Sequence, residues 1–349
     1  MTSLKLRIGH FPDETGAAII GAAAPTGQGS AVTRNDRQHT LNPQQQPGTV
    51  KLLAAFAAVW FIWGSTYLFI SFAIETVPPF LMAAIRFGVA GSLLYAWVRL
   101  KDGARPTWEN WRAGIITGAL FFLCGNGAVV WAQQRVPSGI AALLVAIVPL
   151  FVVLLQWLPP YHKRPTLVVM MGVIVGLLGL VLLVGPGAFT GTSEIDILAA
   201  AVLTFGSLCW AFGTLYSGRA PLPKNALLTA ALQLLSGAVL LALLGFVAGE
   251  HTRIDASTIS LKSVLSIAYL MFFGSIVAFT AYSWLTRVAS PARLSTYAYV
   301  NPVVALILGW LFAGEKLSKS VLMASAVILA GVVLITLGSA RKKARQPTR

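Results

Sequence analysis

Arg86 lies about eight residues inside a long apolar run, and no other Lys or Arg of the chain sits so deep in one. A charge at bilayer depth costs at least about 2.5 kcal/mol, so one that is kept there marks a binding or coupling site by default. Two chemistries suit it: gripping a substrate carboxylate, or pairing with an acid that titrates. The structural alternative is that it caps the carbonyls of a kinked helix or snorkels to the interface. Two acids are candidates for proton coupling. Glu315 follows Gly314 at the end of an apolar run, and Glu75 precedes Pro78-Pro79. Both positions are terminal, so both equally suit interfacial ion pairs, Glu315 with Lys316 or Lys319.

Trp63, Ser65, Thr66, Asn126, Trp131, Trp210, Tyr282, Tyr299 and Asn301 supply ring faces and hydrogen-bonding groups inside or near apolar runs, with Tyr67, Gln133 and Tyr297 beside them. Such residues can line a cavity for an amphipathic solute. They can equally tie helices together or form an interfacial aromatic belt. Pro149 and Pro302 stand near the middle of two runs. A mid-helix proline frees a carbonyl, which lipid tolerates only beside protein or a water-filled cavity, so both are candidate hinges.

Enzyme chemistry finds no foothold. There is no Walker loop and no HExxH, and His10, His39, His162 and His251 fall in tails or connections. Neither an ATP-driven pump, a cofactor nor a metal is indicated. Cys124 and Cys209 lie in apolar runs outside any CxxC, which predicts buried free thiols.

The elements that must position these residues span a bilayer. The chain is 56% hydrophobic and 11% charged, against about 25% charged in soluble domains. Ten segments are long and apolar enough to cross: 52–74, 78–99, 112–132, 138–158, 166–185, 194–216, 225–248, 262–286, 291–312 and 319–338. Residues 1–50 read as a disordered cytosolic tail and 339–349 as a basic one.

Net charge is +15, yet Lys and Arg sit in connections and tails, which argues for lipid surface and against nucleic acid. Twenty fall on one side of the predicted spans. Five, Arg135, Arg253, Lys262, Lys316 and Lys319, fall on the other. That bias places both termini in the cytosol.

A stretch recurs. Pro137-Ser138-Gly139-Ile140-Ala141-Ala142 aligns with Ser290-Pro291-Ala292-Arg293-Leu294-Ser295, and without gaps Pro149 falls on Pro302 and Trp157 on Trp310. Gly64-Ser65-Thr66-Tyr67 is echoed by Gly213-Thr214-Leu215-Tyr216. The offset covers five spans, an odd number, so the copies insert in opposite senses. An all-α membrane protein of ten transmembrane helices follows, arranged as two inverted five-helix repeats, 51–185 and 194–338. Gly172, Gly176 and Gly179 put small residues on one face of the fifth span, suited to a dimer seam or to packing inside the bundle. Monomer and homodimer both stay open.

Trp63-Gly64-Ser65-Thr66-Tyr67, Arg86-Phe87, Pro137-Ser138-Gly139 with Pro149, Trp210-Ala211-Phe212-Gly213, Tyr299-Val300-Asn301-Pro302 and Gly314-Glu315, in this order over residues 52–338, resemble the EamA-type drug/metabolite transporter superfamily. The likeness is closest to its YedA-type inner-membrane permeases. The resemblance implies a secondary transporter in the inner membrane with a central cavity, moving small metabolites such as amino acids, usually outward. One departure stands out: where relatives often mirror Gly314-Glu315 after the fourth span, this chain has Tyr161-His162. A membrane scaffold or sensor without flux, and a passive channel, are the alternatives.

Overall fold

The computed structural model describes residues 49–162, 164–185, 196–289 and 296–344. Among them every regular element is a helix. In chain order these are α1 (Thr49–Ala73), α2 (Pro79–Asp102), α3 (Trp108–Ala132), α4 (Ser138–Trp157) and α5 (Leu167–Val184). They continue with α6 (Ile197–Ser217), α7 (Ala226–Val247), α8 (residues 261–288), α9 (Tyr297–Phe312) and α10 (Lys319–Ala344).

Nine of them are long and apolar enough to cross a membrane. The exception is α9, whose described part has 16 residues, about 24 Å at 1.5 Å per residue. Residues 290–295, expected to begin that span, lie outside the described residues, as do the tail to residue 48, Glu194 and residues 345–349.

The boundaries follow local chemistry. Pro79 occupies the first turn of α2, where its missing N–H costs nothing. Gly103, at φ 61°, ends that helix in the left-handed region. Thr107, Thr166, Asp196, Asn225 and Ser260 each accept a hydrogen bond from the first turn of the helix they precede.

α2 packs along α7, α5 along α10, α3 against α6, α1 against α8, and α4 against α9. The α5–α10 seam is made by glycine. A Cβ on Gly172 would lie 2.8 Å from the Gly331 carbonyl, and one on Gly179 2.7 Å from the Ile328 amide. The small-residue face of α5 is therefore occupied inside the chain, and the dimer-seam reading of Gly172 and Gly179 is set aside. Cys209 is buried as expected, whereas Cys124 is only half-buried.

Regular helix lapses in four places. α1, α3 and α8 contain π-helical stretches at Ala58–Ile62, Ala119–Asn126 and Leu270–Val277. α4 breaks between Val145 and Val148, with Pro149 in the first turn of its second half. Pro302, by contrast, sits inside a continuous α9.

Two carboxylates bind helix starts across the bundle. The Glu315 oxygens accept from the Ser138 and Gly139 amides at 2.6 and 3.0 Å, capping α4. The Glu250 oxygens accept from Phe80 and Leu81 at 3.2 and 2.8 Å, capping α2. Each Glu follows a glycine in the left-handed region, Gly249 at φ 71° and Gly314 at φ 64°. Glu315 thus forms no ion pair with Lys316 or Lys319, correcting that expectation. A carboxylate at a helix N-terminus satisfies orphan amides and meets the positive end of the dipole. Glu315→Ala and Glu250→Ala should each destabilise the detergent-solubilised protein by about 1–2 kcal/mol. Thermal unfolding followed by intrinsic fluorescence measures this; unchanged midpoints in both would contradict the capping role.

Candidate substrate cavity

Eight helices, α1–α4 and α6–α9, contribute walls to one cavity enclosing about 960 Å³ of empty space, its open mouth included. Arg86 projects into it from α2 and is 5% exposed. Its Nε donates to Ser275 Oγ of α8 at 2.9 Å, and Ser275 in turn donates to the Leu270 carbonyl at 3.2 Å. The guanidinium carbon lies 4.7 Å from the centre of the Phe87 ring.

Room for the guanidinium comes from Gly274. A Cβ there would lie 2.9 Å from Arg86 Nη2 and 3.0 Å from Thr66 Cγ2. The carbonyl of the same glycine accepts from Trp63 Nε1 at 3.1 Å. Gly274-Ser275 is thus a two-residue cradle in the π-helical part of α8, where shifted backbone bonds leave both residues free to face α1 and α2. No Asp or Glu lies within ion-pair distance of Arg86 among the described residues.

Aromatic rings close the sides. Phe87 and Phe122 lie 4.6 Å apart, centroid to centroid, and Phe122 and Phe279 5.8 Å. Trp63 sits 5.0 Å from Tyr282 and 5.7 Å from Tyr297. Trp210 rests on Phe121 at 4.9 Å and against Gly125, where a Cβ would come within 2.9 Å of the indole.

Of the residues singled out from the sequence, Arg86, Trp63, Thr66, Asn126, Trp210, Asn301 and Pro302 line this cavity, as do Tyr67 and Tyr297. The others lie outside it. Ser65 turns to α8 and bonds Tyr269 Oη at 2.8 Å. Trp131 carries the Arg135 guanidinium 4.0 Å above its ring. Tyr282 stands behind Trp63, and Tyr299 is half-buried off the lining. Pro149 is adjacent to the lining residue Val148 but not part of it. Glu75 pairs with Lys262 at 2.6 Å, both about half exposed, outside the cavity.

Asn301 does more than line the wall. With its amide oriented to satisfy both ends, its nitrogen lies 2.9 Å from the Trp60 carbonyl and 3.3 Å from that of Val59. These are carbonyls of the π-helical stretch of α1, so Asn301 mends a break in a neighbouring helix.

Two consequential residues escaped the sequence reading. Ser275 gave no signal beyond a hydroxyl in an apolar run. Glu250, 1% exposed, did carry one: Gly249-Glu250 repeats the Gly314-Glu315 pair.

A bundle of apolar helices, nine of the described ones long enough to span, marks a polytopic membrane protein with a cation-bearing cavity. The chain belongs to the EamA-like transporter family, whose model matches residues 50–185 and 197–337, two copies in tandem. Over 288 residues it is 40% identical to the inner membrane transporter YedA of Escherichia coli (strain K12), covering 82% of this chain and 91% of that protein. It is 27% identical to protein PecM of Dickeya dadantii over 294 residues, covering 81% of this chain and 93% of that protein. A solved crystal structure shares the fold at a TM-score of 0.58, with 23% identity over 82% of this chain and 98% of that one.

Removing the cradle hydroxyl should unsettle the buried cation. Ser275→Ala leaves Arg86 Nε without its partner and should cost about 1–3 kcal/mol, whereas Ser275→Thr keeps the acceptor. Thermal unfolding of the two variants in one detergent measures the difference. Equal midpoints would show that Ser275 does not hold Arg86.

Proposed function

We propose that the protein is a secondary transporter of the inner membrane that moves small organic metabolites outward, amino acids or related solutes, by alternating access. The observation that carries this reading is Arg86: a buried cation without a carboxylate partner among the described residues, facing a cavity walled by helices of both family-matched segments. A static core would leave such a charge uncompensated; a visiting solute with a carboxylate compensates it.

The ten-helix inverted-repeat plan belongs to this reading, with repeats at 51–185 and 194–338. Helix pairing supports it. Exchanging each helix for the one five places along maps the α1–α8 contact onto α3–α6, and maps α2–α7, α4–α9 and α5–α10 onto themselves. The π-helical stretches of α3 and α8 also fall at matching depth in the two copies. Alternating access then rocks one repeat against the other, with flexure at the α4 break beside Pro149 and at Pro302. Glu315, joining the α9–α10 connection to the start of α4, is placed to hold one closed arrangement. Both termini lie in the cytosol, following the Lys and Arg bias. An electrical or proton gradient supplies the driving force.

Transport is tested in liposomes by counterflow with a panel of amino acids and organic acids. Saturable counterflow of at least one solute is expected, and Arg86→Ala should reduce it to background at unchanged protein yield. Full flux in Arg86→Ala would remove this residue from the site, and linear, non-saturable flux would indicate a channel. Topology is tested separately in a background with Cys124 and Cys209 changed to Ala. An impermeant maleimide applied to whole cells should label Arg253→Cys and spare Arg219→Cys. The reverse pattern would invert the orientation.

A further inference from the structure

Arg86 is the one charged side chain among the residues that line the cavity. Its helix partner α7 carries no charged residue from Ala226 to Val247. The acids closest in the fold are engaged elsewhere. Glu250 and Glu315 each hold a helix start with both oxygens, and Glu75 pairs with Lys262 outside the cavity.

Three neutral polar side chains of the lining also donate back to the protein. Thr66 Oγ1 donates to the Trp63 carbonyl at 2.6 Å, and Asn126 Nδ2 to the Phe121 carbonyl at 3.2 Å. The Asn301 amide nitrogen faces α1 carbonyls. What a solute meets is one guanidinium edge, with Nε already committed to Ser275, the rings of Phe87, Phe122 and Phe279 around it, and the neutral side chains of Tyr67, Tyr297 and Trp210.

Resting on the transport reading, we infer that this cavity selects solutes of net charge −1: one carboxylate on a flat apolar body, in preference to the zwitterionic amino acid of the same shape. A carboxylate accepts from the Nη groups in a charge-assisted, two-pronged contact and neutralises the cavity. The α-ammonium of an amino acid, two bonds from that carboxylate, is stripped of water beside a like charge and meets no acid. A ring face could hold an ammonium, but both indoles of the lining are packed by other rings, Trp63 by Tyr282 and Tyr297 and Trp210 by Phe121. A neutral amide forfeits the charge-assisted contact, and an amine adds a second positive charge.

Four solutes with one phenyl body test this on the purified full chain: phenylpyruvate, phenylalanine, phenylacetamide and phenethylamine. Binding is read by quenching of intrinsic tryptophan fluorescence, and counterflow is read in liposomes. Phenylpyruvate should bind roughly 10- to 100-fold tighter than phenylalanine, which keeps the carboxylate contact but leaves its ammonium desolvated and unpaired. Phenethylamine should bind weakest. Arg86→Lys should keep the order with lower affinity, and Arg86→Gln should erase it. Phenylalanine binding as tightly as phenylpyruvate, or an unchanged order in Arg86→Gln, overturns the inference and leaves transport standing. The wild-type order decides the matter even where Arg86→Gln fails to fold. Absence of counterflow by all four solutes and by the wider panel overturns the transport reading, and this inference with it.

Discussion

A bilayer core offers no water to an unpaired backbone group, so each lapse in a helix must be mended by protein or opened to a cavity. The irregular features of this chain obey that rule. The π-helical stretch of α1 meets the Asn301 amide. The one in α8 presents Gly274 and Ser275 to Trp63 and Arg86. The starts of α2 and α4, each following a proline, are met by Glu250 and Glu315. Irregular backbone and polar side chains therefore gather at the same depths, and the cavity lies among them.

The elements were readable because lipid imposes a length. Runs of about twenty apolar residues between Pro, Gly and charged connections have few alternative interpretations. The start of the ninth span, expected at 291, lies outside the described residues, and α9 is described from Tyr297. Facing was harder to read. A soluble helix separates polar from apolar faces, but α2 and α5 are apolar all round, so position along the helix does not say which neighbour a side chain meets. Arg86 was legible because a charge has nowhere else to go. Ser65 and Thr66 are adjacent, yet one turns to Tyr269 and the other to the cavity. Trp131 and Tyr282 have a suitable residue type, but the lining takes other residues of their helices. Cradle residues such as Ser275 are defined wholly by what another helix brings to them.

The two family-matched segments are alike in part of their irregular backbone and unlike in their charge. α3 and α8 both carry π-helical stretches, and α4 and α9 both carry a proline, but the cation is on α2 alone. A second like charge in the same dry cavity would repel the first. Tyr161-His162, standing where the first segment would mirror Gly314-Glu315, shows the same divergence in the connections.

Arg86 is held at both ends of its lever. Its head is fixed by Ser275 of α8, and the start of α2 is fixed by Glu250 in the connection between α7 and α8. α2 also packs along α7 over much of its length, where Gly91 allows contact so close that a Cβ would lie 3.0 Å from the Leu235 amide. α2, α7 and α8 are therefore bound to one another by a carboxylate cap, a charged hydrogen bond and a tight seam. A movement separating them would strip the cation of its acceptor and the α2 amides of theirs together. The start of α4 is tied in the same way to the α9–α10 connection by Glu315, so the place where α4 is least held is its middle, at the break between Val145 and Val148. On the alternating-access reading proposed above, the cation would stay with the α2–α7–α8 group and flexure would fall on α4 beside Pro149.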